Sequence, residues 1–301
     1  MSILIDENTT FIIQGITGRE AVNMARECLD YGSKLVGGVT PGRGGRDVHG
    51  VPVYDTVAEI TAKQRVDASV ISVPPAFVRD AAFEAIENGV KLLVIVTERI
   101  PRLEVAQLLE LARRHDARVI GPNCLGILSP GKSRVGGIGG AAVAARKAYQ
   151  PGPIGIMSRS GGMTTEIANT LTAAGLGQST AVSIGGDAIV GSTYAELLPL
   201  FEADPETKAI VIYSEPGGPM EAQLARYVKE HNTRLPIVAF MAGRFMDEMP
   251  GMRFGHAGTI VEGRADTTSE KIARLLDAGI SVAEEIQDIP GMVRQRLAEV
   301  G

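Results

Sequence analysis

Tryptophan is absent from the 301 residues, aromatic residues amount to 4%, and cysteine occurs only at Cys28 and Cys124. Two thiols cannot build the disulfide framework of a small secreted domain, so a reducing cytoplasm is the expected compartment. The chain has no basic surplus: 30 lysines and arginines face 35 acids, a net charge of −5, which argues against nucleic acid as a partner. Long apolar runs are missing too. Stretches such as "KLLVIV" fall far short of the roughly 20 residues of a membrane span, and the opening "MSILIDENTT" has neither the apolar stretch nor the cleavage site of a signal peptide. With four histidines and two cysteines at no ligand spacing, no metal site is expected.

What the chain does have is alternation. Short β-branched runs are separated by amphipathic stretches, the pattern of parallel strands with crossover helices. The first half supplies strands near 11–15, 34–39, 68–73, 91–96 and 117–121. A helix follows the fourth strand, with Leu103, Val105, Leu108, Leu109 and Leu111 as its apolar face. The second half repeats the rhythm with strands near 152–157, 179–185, 209–215, 236–243 and 280–285. Between the halves runs a glycine-rich, weakly periodic stretch. The expected organisation is a doubly wound α/β domain over 1–122, a connector over 123–150 and a second doubly wound domain over 151–301.

In the first half, "FIIQGITGRE" reads as strand, glycine turn and helix, and free amides at a helix start favour an anion. The spacing is G-x-x-G rather than the dinucleotide fingerprint. The second strand ends in "GGVTPGRGGR", with Arg43 and Arg46 where a nicotinamide site needs an acid, so a phosphate-bearing ligand other than NAD is expected. One motif misleads. "GILSPGKS" at 126–133 matches the P-loop pattern letter for letter, but "KSRVGGIGG" is a poor helix start and Pro130 lies inside the loop. It is read as an accidental match.

In the second half, "IGIMSRSGG" offers another cradle at a helix start, from Ser158, Ser160, Gly161 and Gly162. "IYSEPGG" then puts Glu215 at the carboxyl end of a strand, where open α/β sheets build their sites. The loop after the next strand, "RFGHAGTIVEG", carries His256 among residues with almost no side chain. A lone histidine on a glycine loop is ordinarily structural. Here a carboxylate and an anion cradle converge on it, which is the arrangement of a histidine that becomes phosphorylated while Glu215 holds its other ring nitrogen.

At these residues the chain resembles the α subunit of succinyl-CoA synthetase, the nucleoside-diphosphate-forming succinate–CoA ligase. The likeness runs nearly end to end, through "QGITG", "VGGVTPGRGG", "GVPVYDTV", "VTERIP", "IGPNC", "SRSG", "IGGD", "FEADPET" and "GHAG". The resemblance implies a Rossmann-like CoA-binding domain followed by a flavodoxin-like ligase domain. It places CoA contacts at Thr17, Gly18, Arg19 and Glu20, at Arg43 where the family usually has lysine, and at Val96, Thr97 and Glu98. It makes His256 the phosphohistidine, Glu215 its orienting carboxylate and Ser160, Gly161 and Gly162 the phosphate-binding turn. It also implies a β subunit of ATP-grasp fold that holds ATP or GTP with magnesium.

Departures bear on the acid. Thr165 stands where the family usually has a substrate-side tyrosine, Pro216 replaces an isoleucine, and the histidine loop carries "RFMDEMPGMRF". Loss of an aromatic wall leaves room for malate, citrate or itaconate in place of succinate. A CoA-binding regulatory protein without catalysis is the rival reading. It expects His256 or Glu215 to be replaced, and both are present.

Overall fold

The computed structural model describes residues 2–300, and these form two sheets of seven strands each, covered by helices. The first unit contains β1 (Thr10–Gln14), α1 (Arg19–Tyr31), β2 (Lys34–Val39), β3 (Asp47–Val48), β4 (Val51–Tyr54), α2 (Val57–Thr61), β5 (Ala68–Ile71), α3 (Val78–Glu87), β6 (Leu92–Ile95), α4 (Arg102–Arg114) and β7 (Arg118–Ile120). Its strands lie in the order β3-β4-β2-β1-β5-β6-β7, all parallel except the edge pairing of β3 with β4. Leaving out β3, this is the 3-2-1-4-5-6 order of a dinucleotide-binding fold, with its switch point between β1 and β5.

The second unit runs through β8 (Gly126–Ser129), β9 (Ser133–Gly136), α5 (Ala142–Ala148), β10 (Pro151–Ser158), α6 (Gly161–Ala173), β11 (Gln178–Ser183), α7 (Tyr194–Ala203), β12 (Ala209–Ser214), α8 (Met220–His231), β13 (Ile237–Met241), α9 (Thr268–Asp277), β14 (Ser281–Ala283) and α10 (Ile289–Val300). The sheet order is β14-β13-β12-β10-β11-β8-β9. Counted from β10, its five parallel strands stand 2-1-3-4-5, the flavodoxin-like order, and the chain switches sides between β10 and β12.

The buried strands explain why unbroken Val/Ile runs read as strands: every residue of β5, β6 and β12 is buried. On α4 the buried face is Val105, Leu108 and Ala112, whereas Leu103, expected on that face, is exposed in the first turn. The glycine-rich stretch read as a connector is more ordered than its composition implies. Within it β8 and β9 form an antiparallel hairpin, and β8 pairs antiparallel with β11. "GILSPGKS" is this strand–turn–strand, with no helix following its Lys132-Ser133. Glycine is needed there because a Cβ on Gly126 would lie 2.1 Å from the Val135 carbonyl oxygen.

The hairpin also joins the two units. Arg134, fully buried on β9, donates to Glu27 of α1 at 2.7 Å, to the Gly136 carbonyl at 3.0 Å and to that of Gly140. Removing a buried guanidinium leaves several acceptors without donors. Arg134→Met is therefore expected to cost about 3 kcal/mol of stability, read as a lowered urea midpoint; an unchanged midpoint contradicts this role for the residue.

Candidate functional site

At the first switch point the backbone leaving β1 turns sharply. Gly15 has φ +86°, and a Cβ there would lie 2.3 Å from the Ser72 carbonyl oxygen, so only glycine permits this approach. The turn opens a cavity of about 510 Å³ whose lining includes Gly15, Thr17, Gly18, Thr40, Val73 and Phe77. Gly18 caps α1 without a side-chain hydrogen bond, which leaves amides of the first turn open to an anion. Phe77, 61% exposed at the rim, offers an aromatic face that sequence reading missed.

The other expected residues of this half divide into two groups. Arg19 and Glu20 pair with each other at 3.4 Å in solvent and do not line the cavity. Arg43 is exposed on a loop whose Arg43 and Gly44 amides donate to Asp55 at 3.0 and 2.9 Å. Val96, Thr97 and Glu98 follow β6, and the Thr97 hydroxyl donates to the Val73 carbonyl at 2.7 Å. This segment points the first unit toward the second. Asn123 donates its backbone N–H to the Thr97 carbonyl at 3.0 Å, accepts from the Gly186 N–H at 3.1 Å, and donates its side-chain amide to Asp187 at 3.0 Å.

Glu215, immediately after β12, is buried beside the histidine loop. His256 Nδ1 lies 2.8 Å from Glu215 Oε2, and the Thr259 hydroxyl donates to the same oxygen at 3.0 Å. The bare loop now has a physical reason. A Cβ on Gly186 would fall 2.2 Å from His256 Cγ, and one on Gly258 would fall 2.6 Å from Arg159 Nη2. The imidazole lies directly on backbone, and the loop lies directly on a buried guanidinium. Arg159 in turn donates to the carbonyls of Gly217 and Asp187, each at 3.3 Å.

Burial pushes the Glu215 carboxyl upward, but the hydrogen bond and charge of His256, the charge of Arg159 and the Thr259 hydroxyl outweigh it and hold it below its usual 4.5. The hydrogen bond to Glu215 raises His256 above its usual 6.5, against a smaller opposing effect of burial. An ionised carboxylate only accepts, so Nδ1 carries the proton and the neutral ring presents a lone pair at Nε2. A carboxylate-oriented imidazole of this kind has the arrangement that suits nucleophilic attack.

The peptide that carries Glu215 is itself clamped. Lys271 of α9, 2% exposed, donates to the Glu215 carbonyl at 3.2 Å, to the Gly217 carbonyl at 2.7 Å and to the fully buried Glu221 at 2.6 Å. In the turn at 160–162, Ser160 caps α6 by accepting from the Met163 amide. Gly161 makes room for Leu125, while no atom lies within 4 Å of a Cβ on Gly162, so that side is open. Thr165 bonds the buried Tyr149 hydroxyl at 2.9 Å, which ties it to the α5 side of its helix. Among the described residues no cluster of three or more His, Cys, Asp or Glu is placed to hold a metal ion, and no helix is long and apolar enough to cross a membrane.

A Rossmann-like unit with a cavity at its switch point is joined to a flavodoxin-like unit with a carboxylate–imidazole pair at its own, and the family matches make this two-unit arrangement that of the CoA ligases. Family models described as CoA binding domain and CoA-ligase match residues 6–99 and 157–281. The chain is 46% identical to the succinate–CoA ligase [ADP-forming] subunit alpha 1 of Archaeoglobus fulgidus over 99% of both chains. It is 41% identical to the malate–CoA ligase subunit alpha of Methylorubrum extorquens, over all of this chain and 98% of that one. The chain belongs to the succinate–CoA ligase α-subunit family. The ATP citrate lyase of Methanothrix soehngenii, solved with citrate and coenzyme A, superposes with a TM-score of 0.90 at 26% identity. That match covers 99% of this chain and 51% of the lyase, so the chain spans about half its length.

The pair has a pH window. The raised His256 stabilises the fold below pH 6.5 and loses that effect as pH rises through its folded value, while the lowered Glu215 stabilises above pH 4.5 and loses its effect as pH falls. The stability difference between the wild type and Glu215→Gln should thus peak, at about 2 kcal/mol for a charged hydrogen bond, between pH 4.5 and 6.5. Urea titrations across pH measure it, and a difference that grows above pH 8 contradicts the pairing.

Proposed function

We propose that this chain is the α subunit of an acid–CoA ligase that joins a carboxylic acid, succinate foremost, to CoA at the expense of ATP or GTP, through a phosphohistidine at His256. The observation that carries this reading is the 2.8 Å contact between Glu215 and His256 Nδ1, which leaves Nε2 free to take a phosphoryl group. Residues 1–122 hold CoA, residues 151–301 carry the histidine chemistry, and 123–150 join them. The relatives' designation as α subunits supports a β partner. That partner is an ATP-grasp chain that supplies the nucleotide with its magnesium.

Three steps make up the proposed reaction, and the Glu215–His256 contact supports the first of them. Nε2 attacks the terminal phosphorus of the nucleotide and the diphosphate leaves. The start of α6 at Ser160, Gly161 and Gly162, with the amides of the two glycines, and the buried Arg159 neutralise the new negative charge. A carboxylate oxygen of the acid then attacks phosphorus, releasing the ring and forming an acyl phosphate. The CoA thiol attacks its carbonyl carbon and phosphate leaves. Thr17 and Gly18 contact CoA at the cavity, Arg19, Glu20 and Arg43 meet its charged end from the exposed rim, and Val96, Thr97 and Glu98 line its route toward the second unit. Thr165 belongs to the acid side of the site. Malate is the second candidate acid, favoured by the malate–CoA ligase relative and by threonine at 165.

With the β subunit and ATP labelled at its γ-phosphate, the wild-type chain should take up label that is stable to alkali and lost in acid. His256→Asn should take up none. Labelling that persists in the variant contradicts the assignment.

A further inference from the structure

CoA bound at the first switch point must deliver its thiol to chemistry at the second, so the groups between the two carry particular weight. The bridge is short: the Thr97 carbonyl, Asn123, Gly186 and Asp187, each hydrogen-bonded as described above. Asp187 follows the glycine on which the His256 ring rests. Its carbonyl accepts from Arg159, its Oδ1 accepts from Asn123 at 3.0 Å, and its Oδ2 accepts no hydrogen bond among the described residues. The charged groups that face it are Glu98 from the first unit and His256 and Arg159 from the second.

We propose that Asp187 is the general base of the thioester-forming step, taking the proton from the CoA thiol as sulfur attacks the acyl phosphate. The inference rests on the ligase reading above and adds a residue to it. As the S–C bond forms, the thiol proton passes to Asp187 Oδ2. The C–O bond to phosphorus breaks, and its electron pair leaves with inorganic phosphate. The proton then passes to the departing phosphate, which restores the carboxylate. No other co-reactant is needed.

Rival carboxylates are less suited. Glu215 is committed to His256 and Thr259. Glu98 is 56% exposed and pairs with Arg99 at 3.6 Å, so water competes for it. Asp187 is 8% exposed and oriented by a fixed amide donor. Burial pushes its carboxyl above the usual 3.8, with Glu98 adding to the rise and Asn123, His256 and Arg159 opposing it, which brings its basicity nearer to what proton abstraction needs.

Asp187→Asn keeps an acceptor for Asn123 and removes the base. With the β subunit present, succinyl phosphate and CoA feed the last step directly and bypass His256. In that assay the variant should form thioester about 100-fold more slowly than the wild type, with CoA affinity and His256 labelling from ATP unchanged. Thioester formation at the wild-type rate overturns the proposal. A second reading needs no variant: the wild-type rate in this assay should fall on the acid side with an inflection above pH 3.8, and a rate flat down to that pH overturns it too. If the wild type makes thioester in an Asp187-dependent way but takes no label from ATP, the histidine reading fails and the base assignment stands. If it makes none, the base assignment fails, and the label from ATP alone decides the histidine reading.

Discussion

A single hydrogen bond organises the second half of this molecule. Glu215 sits just past a strand whose residues are all buried, in surroundings that by themselves push its carboxyl upward. It is ionised because His256, Arg159 and Thr259 converge on it, and its ionisation in turn dictates which nitrogen of His256 holds the proton. The orientation of the imidazole is thus set by its partner, and the partner is held by Lys271, which grips the carbonyls on both sides of Pro216. A buried ammonium fixed by three oxygens is a costly device to hold one turn. Its use here identifies this turn as the place where position matters most.

The same constraint accounts for the stripped histidine loop. Two backbones and a guanidinium must pack where side chains would ordinarily intervene, so Gly186 and Gly258 have no room for a Cβ. What reads in sequence as a flexible loop is a surface pared down to let an imidazole lie against Gly186 and remain 28% exposed. The loop is closed over its base by the Gly258 N–H bond to Gly186 and the turn from Thr259 to His256. Both switch points thus use one solution: glycine brings backbone close where a side chain would leave no room.

How much of this is legible in the sequence depends on the range of the interaction. The parallel strands are visible because burial on both faces leaves unbroken Val/Ile runs, as in "AIVIYS". The hairpin of β8 and β9 is hidden because its pairing depends on positive-φ glycines at 126 and 136, which look like loop. His256 and Glu215 stand out as reactive residue types at strand ends. Lys271 does not, since "SEKIARLL" is an ordinary amphipathic helix and its contact with Glu215 spans 56 residues. Asn123 and Asp187 are hidden for the same reason, being 64 positions apart. Arg159 is in view within "SRSG", but its burial under Gly258 belongs to the fold alone. The solvent-exposed pairing of Arg19 with Glu20 and the hydrogen bond of Thr165 to Tyr149 are likewise side-chain details that motif spacing does not supply.

The chemistry proposed for His256 turns on which of its ring nitrogens is free, and nitrogen-15 spectroscopy of the labelled imidazole reports it directly. Above the pH at which the ring becomes neutral, the spectrum should show Nδ1 protonated and Nε2 bare, and after phosphorylation the phosphoryl group should be on Nε2. A neutral ring protonated at Nε2, or a phosphoryl group on Nδ1, would contradict the account.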